Sequence, residues 1–378
     1  MTEKQMKEFL NSTEVPYCDL AIFKEHECLF RYGRGVSRTA ECAEVDGSER
    51  YNLYSLSKIT GAVLAATLIS EGVLSLSDPV SGFLPEYAEL TVRHGDNLEP
   101  ATRVMTVGHL ATMTAGLDYG IFEKEVTDAV RQTDGRATTR QIASALAKRP
   151  LCAEPGREFR YSLCLDVLGA VMEVATGMRL DRLVSERLWT PLGMKDTSFG
   201  ERDGEGYGMG DQYEYADGVI SPIGDGCRLK VSEGFHSLGA GIVSTVDDYG
   251  RFLDCLASGG CDAEGKRIIP ADSIELLRQP RLNEQQLDCF RKWNPIYGGY
   301  SYGIGVRVMT DPALYDARIP RGEFGWNSVA GHYALVDTEN KLSVMYAQHV
   351  FKHSPRANVQ IHPILRSFAY DLIGCSRF

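Results

Sequence analysis

Tyr54-Ser55-Leu56-Ser57-Lys58-Ile59-Thr60, continued by Gly61-Ala62-Val63-Leu64-Ala65-Ala66-Thr67-Leu68-Ile69, is the stretch on which the reading of this chain turns. An apolar run of this length, rich in Ala and Leu and stopped by Gly72, predicts a buried helix rather than a strand. With the helix starting near Ser55, Ser55 and Lys58 stand three residues apart and share a face. A serine hydroxyl is a weak nucleophile until a neighbour takes its proton. Lysine does so only as a neutral amine, which requires desolvation or positive potential nearby. A helix N-terminus offers such potential and also favours the negative charge that develops on an attacked carbonyl. The same four residues also occur by chance in a chain of this length, and a serine there often only caps the helix.

Composition narrows the classes. The chain has 378 residues, enough for one large domain or two intimate ones. A formal charge of −11 argues against nucleic acid or an anionic membrane surface as partner. No stretch is apolar enough to span a bilayer, and Met1 to Glu8 lack the basic-then-apolar pattern of an export signal. The expectation is therefore a cytoplasmic protein. Its ten cysteines form no Cys-x-x-Cys pair and lie at no metal-ligand spacing from histidine. They read as reduced thiols, mostly packed as small hydrophobes, with no metal and no cofactor implied.

Outward from the central stretch, Asp19 to Phe30 reads as strand, turn and strand, prolonged through Val36. Helical patterns follow at Thr106 to Leu117, Thr138 to Lys148, Asp166 to Thr176 and Leu180 to Leu188. Phe199 to Lys230 is rich in Gly, Asp and Tyr, including Tyr207, Tyr213 and Tyr215. It reads as a loop packed at the border of a pocket. Helices are expected after Ser244-Thr245-Val246-Asp247-Asp248, at Pro270 to Leu277 and at Ile361 to Ile373. Strands are expected at Tyr302 to Met309, Phe324 to Ser328, His332 to Asp337 and Leu342 to Ala347. Their short connections make them antiparallel. The fold class is α+β: an antiparallel sheet flanked by helices, with an inserted, mostly helical lobe. The expected division is 10–88 plus 231–378 for the mixed part and 89–230 for the lobe.

Two further pieces complete the candidate site. Tyr161, in Pro155-Gly156-Arg157-Glu158-Phe159-Arg160-Tyr161-Ser162, precedes the Asp166 helix, and a tyrosine there can move protons if cations lie close. Gly325-Trp326-Asn327-Ser328 leads into a late strand. In order and spacing, Ser55-Leu56-Ser57-Lys58, Tyr161-Ser162-Leu163 and Trp326-Asn327-Ser328 resemble the three motifs of the serine β-lactamase and penicillin-binding-protein superfamily. The branch they look closest to is the class C β-lactamase-like hydrolases and the family VIII carboxylesterases. The likeness runs from about Asp19 to Ala347.

The resemblance implies a β-lactamase/DD-peptidase-like fold and a covalent acyl-enzyme. Ser55 would be the nucleophile, Lys58 its deprotonating partner and Tyr161 the acid or base. Backbone N–H groups of Ser55 and of Ser328 or Val329 would bind the oxyanion. Two departures bear on the substrate. Leu163 stands where the β-lactamases have an asparagine that hydrogen-bonds a substrate amide. Trp326 stands where they have the lysine that attracts a substrate carboxylate, and Asn327 and Ser328 replace the two glycines of the esterases. Both changes point to a small, less charged ester (or amide) as partner. Amidase, D-aminopeptidase, transacylase and weak β-lactamase activities remain alternatives, as does an inactive scaffold; oligomer formation stays open. His332 reads as a structural or rim residue, and Asp337, Glu323 and Asp225 are available as supporting carboxylates.

Overall fold

The structure, a computed structural model, describes residues 1–200, 208–224 and 226–375. The central apolar run forms the helix Ser57–Ser70, entered through a short 3₁₀ turn, Tyr54–Leu56. Every residue from Ser57 to Leu68 is buried, as a helix apolar on all sides requires. The stop falls at Gly72, whose φ of +73° is the left-handed conformation that glycine adopts without penalty.

The main sheet has eight strands: β1 (Tyr17–Lys24), β2 (Glu27–Arg38), β3 (Ala43–Glu44), β4 (Tyr300–Tyr302), β5 (Arg307–Met309), β6 (Phe324–Asn327), β7 (Tyr333–Asp337) and β8 (Leu342–Gln348). Their spatial order is β4-β5-β6-β7-β8-β1-β2-β3. Every neighbouring pair is antiparallel, so the strand from the start of the chain zips onto the last one, Leu20 opposite Tyr346. All residues of β7 and β8 are buried, which means that both faces of the sheet centre are covered. The helices Val246–Ala257 and His362–Leu372 pack against it. The fold is thus α+β, an antiparallel sheet with flanking helices.

Several expectations are corrected. The single strand expected at Tyr302 to Met309 is two, β4 and β5, because the chain turns at Gly303 to Val306, where Gly303 N–H bonds Val306 O. At Gly305 a Cβ would lie 2.8 Å from that of Ala62, so the turn also sets how closely sheet and central helix approach. The stretch after Phe199 is not loop throughout. It contains a hairpin, Tyr213–Ala216 with Val219–Pro222, whose first strand pairs in parallel with Val350–Phe351. Tyr207 and Asp225 lie outside the described residues. Helices at Glu3–Ser12, Lys124–Gln132 and Glu284–Trp293 add to those expected. Of the cysteines, Cys18, Cys164 and Cys255 are buried and Cys289 and Cys375 pack partly buried against the core, while Cys28 and Cys42 are exposed. Among the described residues no helix is long and apolar enough to cross a membrane.

Candidate active site

Ser55 sits in the 3₁₀ turn at the foot of the central helix. The residue before it, Tyr54, is buried with φ +48°, a conformation that costs a bulky residue on the order of 1–3 kcal/mol unless its surroundings enforce it. They do: the Tyr54 hydroxyl donates to Gln212 Oε1 at 2.7 Å, and the ring packs 5.4 Å from Phe351. The segment following residue 208 therefore clamps the backbone that presents Ser55, rather than lining the pocket as its composition suggests.

Lys58, in the first turn of the helix, is completely buried. Its Nζ donates to Ser55 Oγ at 3.3 Å and to the Gly239 carbonyl at 2.6 Å. Burial alone would push the amine toward neutrality, but Tyr119, Tyr161 and the Asp166 carboxylate around it prevail, and its pKa is raised above the usual lysine value. That direction is the opposite of the one a neutral amine base requires.

Tyr161 reaches the same point from the loop before the Cys164–Thr176 helix, and its hydroxyl donates to Ser55 Oγ at 2.7 Å. The ring stacks on Trp293 at 4.8 Å and on Tyr119 and Trp326 at 5.7 Å each, and Lys58 Nζ lies 4.7 Å from its centroid. The amine from the same helix turn and the phenol from 106 residues along the chain converge on the Ser55 hydroxyl.

β6 forms one wall. Trp326 is buried and faces the Tyr161 ring; its Nε1 donates to the Tyr161 oxygen at 3.4 Å. The Asn327 carboxamide is committed to structure, accepting from Tyr297 at 2.8 Å and donating to Asn358. Of the two backbone donors left open by the sequence, Ser328 N–H bonds the His332 carbonyl at 3.1 Å. Among the described residues nothing accepts from Val329 N–H. Ser328 therefore lines the cleft with its N–H already engaged, and of the two only Val329 keeps an unengaged N–H among the described residues. Leu163, 2 % exposed at the head of its helix, belongs to the core and does not line the cleft.

His332 is fully buried, Nε2 against Asn52 O at 2.9 Å and Nδ1 accepting from Gln348 N–H; burial lowers its pKa to about 4. It is a structural, neutral histidine. Glu323 pairs with the buried Arg307, and Asp337 accepts from Tyr370 and Asn340, so neither supports the cleft chemistry directly. Sequence reasoning passes over Asp166, Gly239 and Trp293. For Trp293 a signal exists: Asn283 and Gln286 form the capping box that starts its helix.

The cleft has a volume of about 150 Å³, bounded by Ser55, Tyr161, Trp293, Tyr297, Trp326 and Val329 together with the uncharged Asn294, Ser354 and Asn358. Its described lining carries no ionised side chain. A larger hollow, about 760 Å³, lies between the β1–β2 turn and the Val246–Ala257 helix. There His26 is paired with Asp254 and Arg31 with Asp247, and no activated hydroxyl faces it.

A sheet backed by helices, with serine, lysine and tyrosine meeting at the foot of a buried helix, defines a serine hydrolase or acyltransferase. The chain belongs to the Beta-lactamase family, whose model matches residues 4–365. It is 30% identical to the esterase EstB of Burkholderia gladioli over 347 residues, 86% of this chain and 84% of that protein. It is 28% identical to protein Rv1367c of Mycobacterium tuberculosis over 327 residues, 82% of this chain and 79% of that one. Among solved structures, EstCE1, described as a hydrolase with promiscuous acyltransferase activity, superposes with a TM-score of 0.76 at 23% identity, covering 96% of each chain.

Proposed function

We propose that this protein is a carboxylesterase that cleaves small, uncharged esters through an acyl group on Ser55. The reading is carried by one observation: Ser55 Oγ lies 2.7 Å from the Tyr161 oxygen and 3.3 Å from Lys58 Nζ, at a cleft with neutral lining. Because the pKa of Lys58 is raised and not lowered, Tyr161 is the group that moves the proton. Tyr161 first gives its own phenolic proton to solvent, and its oxygen then takes the Ser55 proton as Oγ bonds to the ester carbonyl carbon; the adjacent ammonium offsets the negative charge that the phenol oxygen carries between the two steps. The carbonyl oxygen, now anionic, accepts from Ser55 and Val329 N–H. As the carbonyl C–O bond breaks, Tyr161 gives the proton to the departing alkoxide. Water then attacks the acyl carbon, passes its proton by the same route, and leaves the acid and free Ser55.

The neutral lining and Trp326 disfavour substrates anchored by a carboxylate, and the small cleft favours a short acyl chain. The test is p-nitrophenyl acetate and butyrate hydrolysis, expected to show a burst of one equivalent with the acyl group on Ser55 by mass spectrometry. Absence of burst, turnover and adduct together would remove the proposal. A second reading is acyl transfer to an alcohol in place of water, favoured by the aromatic walls of the cleft. Added 1-butanol would then divert product from acid to butyl ester.

A further inference from the structure

Asp166 lies in the first turn of the Cys164–Thr176 helix, 2 % exposed, and does not touch the cleft. Its Oδ1 accepts from Ser237 Oγ at 2.5 Å and from Gly239 N–H at 3.1 Å. Gly239 turns its other polar group, the carbonyl, onto Lys58 Nζ. The turn that carries Gly239 is closed on itself by Ala240 N–H on Ser237 Oγ and Gly241 N–H on Ser237 O, and the same Ser237 Oγ donates to Asp166. A Cβ at 239 would sit 2.4 Å from Asp166 Oδ2; the approach is open only to glycine.

A buried ammonium is tolerated only with a counter-charge and filled hydrogen bonds. Around Lys58 the titratable groups are Tyr119, on the loop after the Val107–Ala111 helix, and Tyr161, Cys164 and Asp166 at the head of the Cys164–Thr176 helix. The 237–241 turn and the central helix add no other. Burial pushes the Cys164 thiol up to about 11 and the Tyr119 phenol up to about 12; it raises Asp166 as well, opposed by Ser237 Oγ, Lys58 and Gly239 N–H, and Asp166 is the only carboxyl among these groups.

We propose that Asp166 is a positioning residue for acyl transfer: through Gly239 it holds a carbonyl on Lys58 Nζ and faces that amine with buried negative charge, keeping it aimed at Ser55. The inference rests on the Ser55 acyl-enzyme reading. Its consequence is specific. Without the carboxylate the ammonium loses its proton more readily, and the catalytic arrangement fails at lower pH.

The experiment compares wild type, Asp166→Asn and Ser237→Ala with p-nitrophenyl butyrate across pH 6 to 10. Asp166→Asn keeps the shape and an acceptor oxygen. It is expected to lower kcat by ~10- to 100-fold, leave KM within ~3-fold, and move the basic limb of the kcat profile to lower pH. Ser237→Ala weakens the same carboxylate and is expected to move the limb in the same direction by less. A folded Asp166→Asn variant with an unmoved limb, whether kcat is retained or uniformly reduced, overturns the proposal. If that variant does not fold, an unmoved limb in Ser237→Ala overturns it equally. Failure of the wild type itself to turn over would instead indict the Ser55 reading.

Discussion

Replacing Val329 by proline removes one N–H from the cleft and little else. Gly331 N–H bonds the Ser328 carbonyl at 2.9 Å, which places Val329 at the second position of a β-turn. That position accepts proline's fixed φ readily. Ser328 before it keeps the strand pairing of β6 through its N–H on His332, compatible with the extended backbone that proline imposes on its predecessor. Val329 is half-buried, and no bond among the described residues uses its N–H. The stability change should stay within about 1 kcal/mol, the usual scale for proline at a compatible turn site. The catalytic change should not be small. Loss of one oxyanion donor lowers kcat about 10²- to 10³-fold, or about 2.7–4 kcal/mol of transition-state stabilisation. The assay is steady-state hydrolysis of p-nitrophenyl butyrate beside thermal melts, with Val329→Ala as the control that trims the side chain and keeps the N–H. Val329→Ala should stay within ~3-fold of wild type. A folded Val329→Pro variant with the activity of Val329→Ala would refute the assignment and place the second donor elsewhere.

Other outcomes follow from the same geometry. Tyr161→Phe keeps the ring stacked on Tyr119, Trp293 and Trp326 but removes the oxygen on Ser55, so kcat should fall ~10²- to 10⁴-fold with an almost unchanged melting temperature; near-wild-type turnover would exclude Tyr161 as proton carrier. Trp293, 44% exposed, contributes a face of the cleft, and Trp293→Ala should raise KM for butyrate by up to ~10-fold, about the worth of one aromatic contact, while kcat holds; a loss confined to kcat would contradict this. Burial lowers His332 to about 4 and His349 and His362 to about 3, so these rings are neutral in the fold and gain protons on unfolding below about 6.5. The stability they contribute is complete above that pH and is lost as pH falls toward 3, with a slope approaching ~4 kcal/mol per pH unit near pH 5 from three protons. Urea melts from pH 4 to 8 measure it, and a slope well below that of one proton (~1.4 kcal/mol per unit) would refute it.

How much of this site can be read from the sequence depends on whether a feature is local. The Ser57–Ser70 helix is legible because an apolar run ending in glycine admits few other structures, and β1–β2 and β6–β8 because the short turns between them leave little choice of partner. Tyr161 is found through the order of three motifs, since no local pattern brings it to Ser55. The choice between Ser328 and Val329 is beyond reach, because it depends on which N–H the His332 carbonyl captures across the turn. The charge on Lys58 escapes the sequence for a deeper reason. A lysine three residues after a serine invites treatment as a base, and burial points the same way. What opposes burial is the set of oxygens that folding gathers around the amine: two phenols, the Gly239 carbonyl and, behind it, Asp166. None of these belongs to the Ser-x-x-Lys motif. A substitution at Asp166 or Ser237 can therefore change what Lys58 does while leaving the motif intact, and two chains with identical motifs can divide the proton between lysine and tyrosine differently.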